Sequence, residues 1–215
     1  MRTVLLTGFE PFDQDTVNAS WEAVRALDGT LLGDDVRILA RQLPCAFARA
    51  PAQLYALLAE HDPVMVIAVG LAQGRAGMSM ERVAINLNDA RIPDNLGEQP
   101  IDTPVIADGP AAYFSTLPIK AMVKALREAG IAASVSQTAG TFVCNQVFYC
   151  LQHALARTRV RSGFIHIPLL PEQAARNAHN QPSLGLDRLI QGLRIAVSIG
   201  LNTQQDAVET GGQVC

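Results

Sequence analysis

Residues 63–70 read PVMVIAVG, eight residues without one charged or hydrogen-bonding side chain. A strand with one wet face alternates apolar and polar residues, whereas this run has no polar face and must be covered on both sides. Its length suits a strand, and so it predicts the centre of a parallel sheet held between two helical layers. The flanking sequence fits that frame. TVLLTGF (3–9), DVRILARQL (35–43), RVAINL (82–87), ASVSQT (133–138) and GFIHIPL (163–169) also read as strands. Helical patterns fall between them. NASWEAVRAL (18–27) opens on cap-type residues, APAQLYALLAEH (50–61) follows the second strand, and PIKAMVKALREAG (118–130) ends on a glycine suited to a left-handed stop. From Cys144, residues Val147, Phe148, Leu151 and Leu155 recur at helical spacing, and SLGLDRLIQGLRIAVSIG (183–200) again stops at glycine.

Strands alternating with helices require crossover connections, so the fold class is α/β: a single-domain, three-layer α/β/α sandwich with a largely parallel sheet. At 215 residues, with no linker, repeat or low-complexity segment, positions 1–215 make one such domain. Residues 88–118 stand apart. They are rich in Pro, Asp and Gly and too long for a plain connection, which marks a functional loop or hairpin.

A net charge of −3, a pI near 5.8 and no cluster of Lys and Arg argue against a nucleic-acid partner. MRTVLLTGFEPF reads as a first strand rather than a secretion signal, and no run nears the roughly 18 apolar residues that span a bilayer. A cytoplasmic location, with no membrane partner, is the expectation. Cys45, Cys144, Cys150 and Cys215 lack the paired spacing of zinc or redox motifs, so free thiols are expected, Cys215 as an incidental one at a Gly-rich end. No G-x-G-x-x-G, P-loop, G-x-S-x-G or H-x-x-x-H motif occurs. VGLAQGRAG follows a strand and is Gly-rich, which leaves a weak signal for an anion-binding turn.

Cys144 sits where an apolar strand hands over to a helix. Free N–H groups and the dipole at a helix start favour thiolate, whereas Cys150 falls among Phe148, Tyr149 and Leu151 and reads as core. A thiol nucleophile needs a base. His153 is nine residues along the same helix, about half a turn out of phase and roughly 13 Å away. His61 ends a helix, where a cation suits the dipole, and His179 reads as a surface loop residue. His166 lies near the carboxyl end of the strand after the Cys144 helix. Ligands gather at such sheet edges, and Cys144, following the preceding strand, is expected at the same edge.

TGFEPF (7–12), GRAGMSMERVAINLNDARIPDN (74–95), AGTFVCNQVFY (139–149) and FIHIPLLPEQ (164–173) together resemble the pyroglutamyl peptidase I family of cysteine exopeptidases, across essentially the whole chain. The resemblance implies an enzyme that removes an N-terminal pyroglutamyl residue from peptides, without metal or cofactor. It places the nucleophile at Cys144, the base at His166 and the third member at Glu81, with Asp94 the rival acid. It also implies Arg91 as oxyanion donor beside the Cys144 backbone N–H. Phe9, Phe12, Ile92, Phe142 and Val143 would wall the pocket for the flat, neutral ring. Two positions depart from the family pattern: Leu71, where glutamine is common, and Cys45, where threonine often lines the pocket. Bacterial members often assemble as homotetramers, though no interface is legible here. The competing functions are a phosphate-dependent transferase of similar architecture, using GLAQGRAG for the anion, and a non-catalytic binding protein that kept the fold.

Overall fold

The structure is a computed structural model describing residues 1–13, 15–176 and 181–212, so His179 and Cys215 lie outside the described residues. In chain order the strands are β1 (Arg2–Phe9), β2 (Leu31–Leu32), β3 (Val36–Leu43), β4 (Met65–Leu71), β5 (Met78–Glu81), β6 (Val83–Ile85), β7 (Ala112–Phe114), β8 (Ala133–Ser136) and β9 (Arg161–Ile167). The helices are α1 (Ala19–Arg25), α2 (Ala50–His61), α3 (Ile119–Glu128), α4 (Val143–Leu155), α5 (Pro171–Arg176) and α6 (Leu186–Asn202). Among the described residues seven strands form one sheet in the order β2-β3-β1-β4-β9-β5-β8. The apolar run forms β4, central and flanked in parallel by β1 and β9.

Side-chain parity divides the core into two layers. Val4, Leu6, Ile67, Val69, Ile165 and Ile167 point to the face covered by α1, α3 and α6. Leu5, Phe9, Val66, Ala68 and Phe164 point to the opposite face, under α2 and α4. Burying each of the larger of these side chains contributes about 1.5–3 kcal/mol, so the alternation specifies the sheet's two faces firmly.

Four expectations change. β5 was not anticipated: MSME is too short and too uniformly buried to show a period, yet it enters the main sheet antiparallel to β9. RVAINL supplies β6, which pairs with β7 in a separate two-stranded ladder rather than in the main sheet. β8 runs parallel to β5, and hence opposite to β9, so the carboxyl ends of β8 and β9 do not share an edge. The final helix continues past Gly200 to Asn202, because that glycine packs against Met65 and Met122 instead of stopping the helix. Residues 88–118 form a long run of turns that holds an isolated Asn88–Thr103 bridge and β7, whose partner β6 lies outside the segment.

Candidate active site

Sheet register assembles the site. His166 stands opposite Gly70 of β4 and opposite Ser79 of β5, with all three on the α2/α4 face. Glu81, two residues beyond Ser79, shares that face and lies diagonally across from the imidazole. It is fully buried, and its Oε1 lies 2.8 Å from His166 Nδ1. Arg75 Nη2 approaches the same oxygen at 3.3 Å, while its Nη1 donates to Ser79 Oγ at 3.2 Å. The buried carboxylate therefore faces two nitrogen groups, an arrangement that offsets the cost of taking a charge out of water.

Cys144 is the second residue of α4. The N–H groups of a helix's first turn have no intrahelical acceptor, so those of Val143 and Cys144 are free to meet an anion. Two devices fix this helix start. Val147, Phe148 and Leu151 are fully buried beneath it. The Asn145 amide accepts from Ile85 N at 3.0 Å and donates to the carbonyls of Ile85 and Leu87, acting as an extra rung beside β6. Residues 137–142 carry the chain from β8 back to α4, with Gly140 in the left-handed region at φ 76°. That crossing, not a shared strand edge, brings Cys144 toward His166.

One cavity of about 580 Å³ holds Cys144, His166, Arg75 and Arg91. Phe12, Ile92, Phe142, Cys45 and Leu71 line it too, so both departures from the family pattern face the cavity. Phe12 and Phe142 meet at 5.3 Å between ring centroids, and Phe47 packs edge-on to Phe142 at 5.1 Å. Phe9 reaches the cavity but is only 2% exposed and packs against Phe164, so core packing claims most of its ring. Val143 is fully buried in the α2/α4 core and is not among the cavity-lining side chains. Its position at the start of α4 turns the side chain inward and leaves only its backbone near the site.

Asp94 is not the imidazole's partner. Its carboxylate accepts from Phe47 N at 2.7 Å, Leu96 N at 2.8 Å and Glu98 N at 2.9 Å, which consumes it in loop closure. Beside it Asn95 donates to Glu10 Oε1 at 2.8 Å, and the same oxygen accepts from Cys45 N. These bonds lash three loops together and hold Arg91 and Ile92 over the cavity. Arg91 is exposed to the cavity and makes no ion pair or side-chain hydrogen bond among the described residues. His153 is occupied by the Tyr113 hydroxyl at 2.8 Å, and Cys150 is buried in the core. Among the described residues no group of three or more His, Cys, Asp or Glu is placed to hold a metal ion.

Burial pushes the Cys144 thiol well above its usual range, with smaller contributions from Cys45 and Glu81. The direction is opposite to the lowering expected from the helix start, and loss of hydration is its leading cause. A thiolate here needs an adjacent cation, which a proton passed to His166 creates. The arrangement suits attack by sulfur on a carbonyl, with N–H groups and a guanidinium facing the developing oxyanion.

A family model described as pyroglutamyl peptidase matches residues 2–203. The pyrrolidone-carboxylate peptidase of Pseudomonas fluorescens is 70% identical over 214 residues, all of both chains, and that of Cupriavidus taiwanensis 64% identical over 217. The crystal structure of pyroglutamyl peptidase I from Bacillus amyloliquefaciens superposes with a TM-score of 0.93 at 47% identity, covering 98% of this chain and 99% of that one. With its fold, its motifs and its whole length in agreement, this chain belongs to the pyroglutamyl peptidase family.

Proposed function

We propose that this chain is a cysteine exopeptidase that hydrolyses the bond after an N-terminal pyroglutamyl residue of peptides. The observation that carries the reading is the buried Glu81–His166 hydrogen bond, at 2.8 Å, in the cavity that also holds Cys144. His166 takes the Cys144 proton as sulfur attacks the pyroglutamyl carbonyl. Arg91 and the Cys144 N–H stabilise the oxyanion. As the C–N bond breaks, His166 returns the proton to the leaving amine. Water, deprotonated by His166, then cleaves the thioester and releases pyroglutamate and free thiol. Glu81 holds the imidazole tautomer and its transient charge. Phe12, Ile92 and Phe142 wall the ring, with the edge of Phe9 behind them.

The apolar walls explain selectivity. Burying the ammonium of an N-terminal Gln or Glu without a partner costs several kcal/mol. Proline carries a charged nitrogen and lacks the lactam carbonyl, so groups built for that carbonyl go unpaired. Hydrolysis of pyroglutamyl-arylamide should exceed that of prolyl, glutaminyl and glutamyl analogues by roughly 10³-fold in kcat/KM. Iodoacetamide and Cys144→Ala should each abolish it, while Cys150→Ala retains it; an active Cys144→Ala enzyme overturns the reading. The family and its relatives lend no support to a phosphate-dependent transferase, and turnover should be indifferent to phosphate. The reading extends to a cytoplasmic homotetramer. In a reducing compartment Cys45, Cys144 and Cys150 stay free, as the proposed role of Cys144 requires. No helix among the described residues is long and apolar enough to cross a membrane. Leu96, Ile101 and Phe114 supply exposed apolar surface for an assembly, which sedimentation equilibrium tests.

A further inference from the structure

Gly70 ends the apolar stretch of β4 and is not among the glycines with positive φ, so its backbone would accept any residue. Space is what forbids one. A Cβ built on Gly70 would lie 2.8 Å from Cys144 Sγ, and 2.8 and 3.0 Å from Cζ and Cε1 of Phe164. Neither neighbour can retreat freely. Cys144 rides on the α4 start, which Asn145 and the buried Val147 and Phe148 hold in place. Phe164 is fully buried, with ring centroids of Phe148 at 5.9 Å and His166 at 4.8 Å. Gly70 also stands in register with His166, one strand spacing of about 4.8 Å away. The missing side chain is thus the seat of the sulfur atom.

We infer that Gly70 is a positioning residue: its bare Cα lets the Cys144 thiol settle against the β4 backbone, level with the His166 imidazole. The kinetic half of this inference rests on the peptidase reading above; the steric half does not. A methyl group at position 70 would displace the sulfur by a few tenths of an ångström to an ångström. Misplacement of a reacting atom on that scale costs on the order of 10²-fold in rate. None of the ring-binding residues Phe12, Ile92 and Phe142 supplies the atoms nearest to that Cβ, so substrate binding should survive.

Gly70→Ala is therefore expected to lower kcat about 10²-fold and slow alkylation of Cys144 by iodoacetamide in parallel, with KM changed less than about threefold. A merely destabilised enzyme would show normal kcat and alkylation per folded molecule. Thermal unfolding of Gly70→Ala, Cys144→Ala and the double variant closes a cycle that needs no activity. Removing the sulfur should relieve part of the damage, so Gly70→Ala lowers Tm less in the Cys144→Ala background than in the wild-type chain. Folding only in the Cys144→Ala background would support the contact still more directly. Equal destabilisation in both backgrounds, failure to fold in both, or kcat and alkylation near wild type would overturn the inference. Should Cys144→Ala prove active, the peptidase reading fails while the Tm cycle still decides the contact.

Discussion

Glu81 and Asp94 carry the same functional group, and their hydrogen bonds give them different work. Glu81 meets an imidazole, whereas Asp94 meets three backbone N–H groups. Glu81→Gln keeps the shape but donates where the imidazole needs an acceptor, so kcat should fall on the order of 10⁴ with the fold retained. Asp94→Asn should instead loosen the loop bearing Arg91 and Ile92. It should cost about 1–3 kcal/mol of stability and raise KM more than it lowers kcat. Steady-state kinetics and thermal unfolding of both variants check the pair, and a reversed ranking in kcat would transfer the role to Asp94. Cys144 and His166 were legible as candidates because one sits at a helix start and the other near the end of a strand, while Glu81 came from the family resemblance, which left Asp94 as its rival. Arg75, Asn145 and Gly70 were not legible as site residues. Their contribution lies in what stands opposite them, and register with β5, β6 and β9 cannot be counted along one chain. Val143 misled for the same reason: only the direction α4 takes over the sheet decides that its side chain faces the core.

Helix caps show the same divide between local and distant information. Asn18 caps α1 from the next position, accepting from Ser20 N at 3.0 Å, and NAS could be read directly. α3 starts after Pro118 with no cap of its own. Its open N–H groups at Lys120 and Ala121 are met by Asp206, at 3.1 and 2.9 Å, from more than 80 residues downstream. Asp206 lies beyond residue 203, where the family match ends. Asp206→Ala should cost about 1 kcal/mol, a Tm decrease of roughly 2–4 °C for a chain of this size. Hydrolytic kcat should be unchanged, because α3 lies on the face of the sheet opposite His166. A drop in kcat at constant stability would mean that the tail reaches the site. The long amphipathic elements were legible because their period spans several turns. β5 was not, since four buried residues have no period to show and only pairing with β8 and β9 makes them a strand.

Over the whole molecule, burial sets how the thiols respond to pH. Cys45, Cys144 and Cys150 are all free, and desolvation is the leading cause that raises each of them. For Cys45 the value is pushed up to about 12, with Glu10 and Asp94 adding to the effect of burial. In the unfolded chain a thiol ionises near pH 8.5, about the value of an unperturbed cysteine. Below that pH both states hold the proton, and the stability tied to the neutral buried thiol is fully present. Between about 8.5 and 12 the unfolded chain releases protons that the folded one keeps. Stability therefore falls as pH rises, by up to about 1.4 kcal/mol per pH unit for each such thiol. Burial raises the Tyr55 and Tyr149 hydroxyls too, and tyrosine begins to titrate as pH nears about 10, so between about pH 8.5 and 10 the comparison with Cys45→Ala, not the pH window, isolates the thiol. Unfolding by urea across that window should give a declining free energy, and Cys45→Ala should show a shallower decline from a lower starting value. The starting value reports the packing lost from the cavity wall, and the slope reports protons alone. Equal slopes would mean that water already reaches Cys45, and a cavity wet at that wall could not reject a charged N-terminus by desolvation.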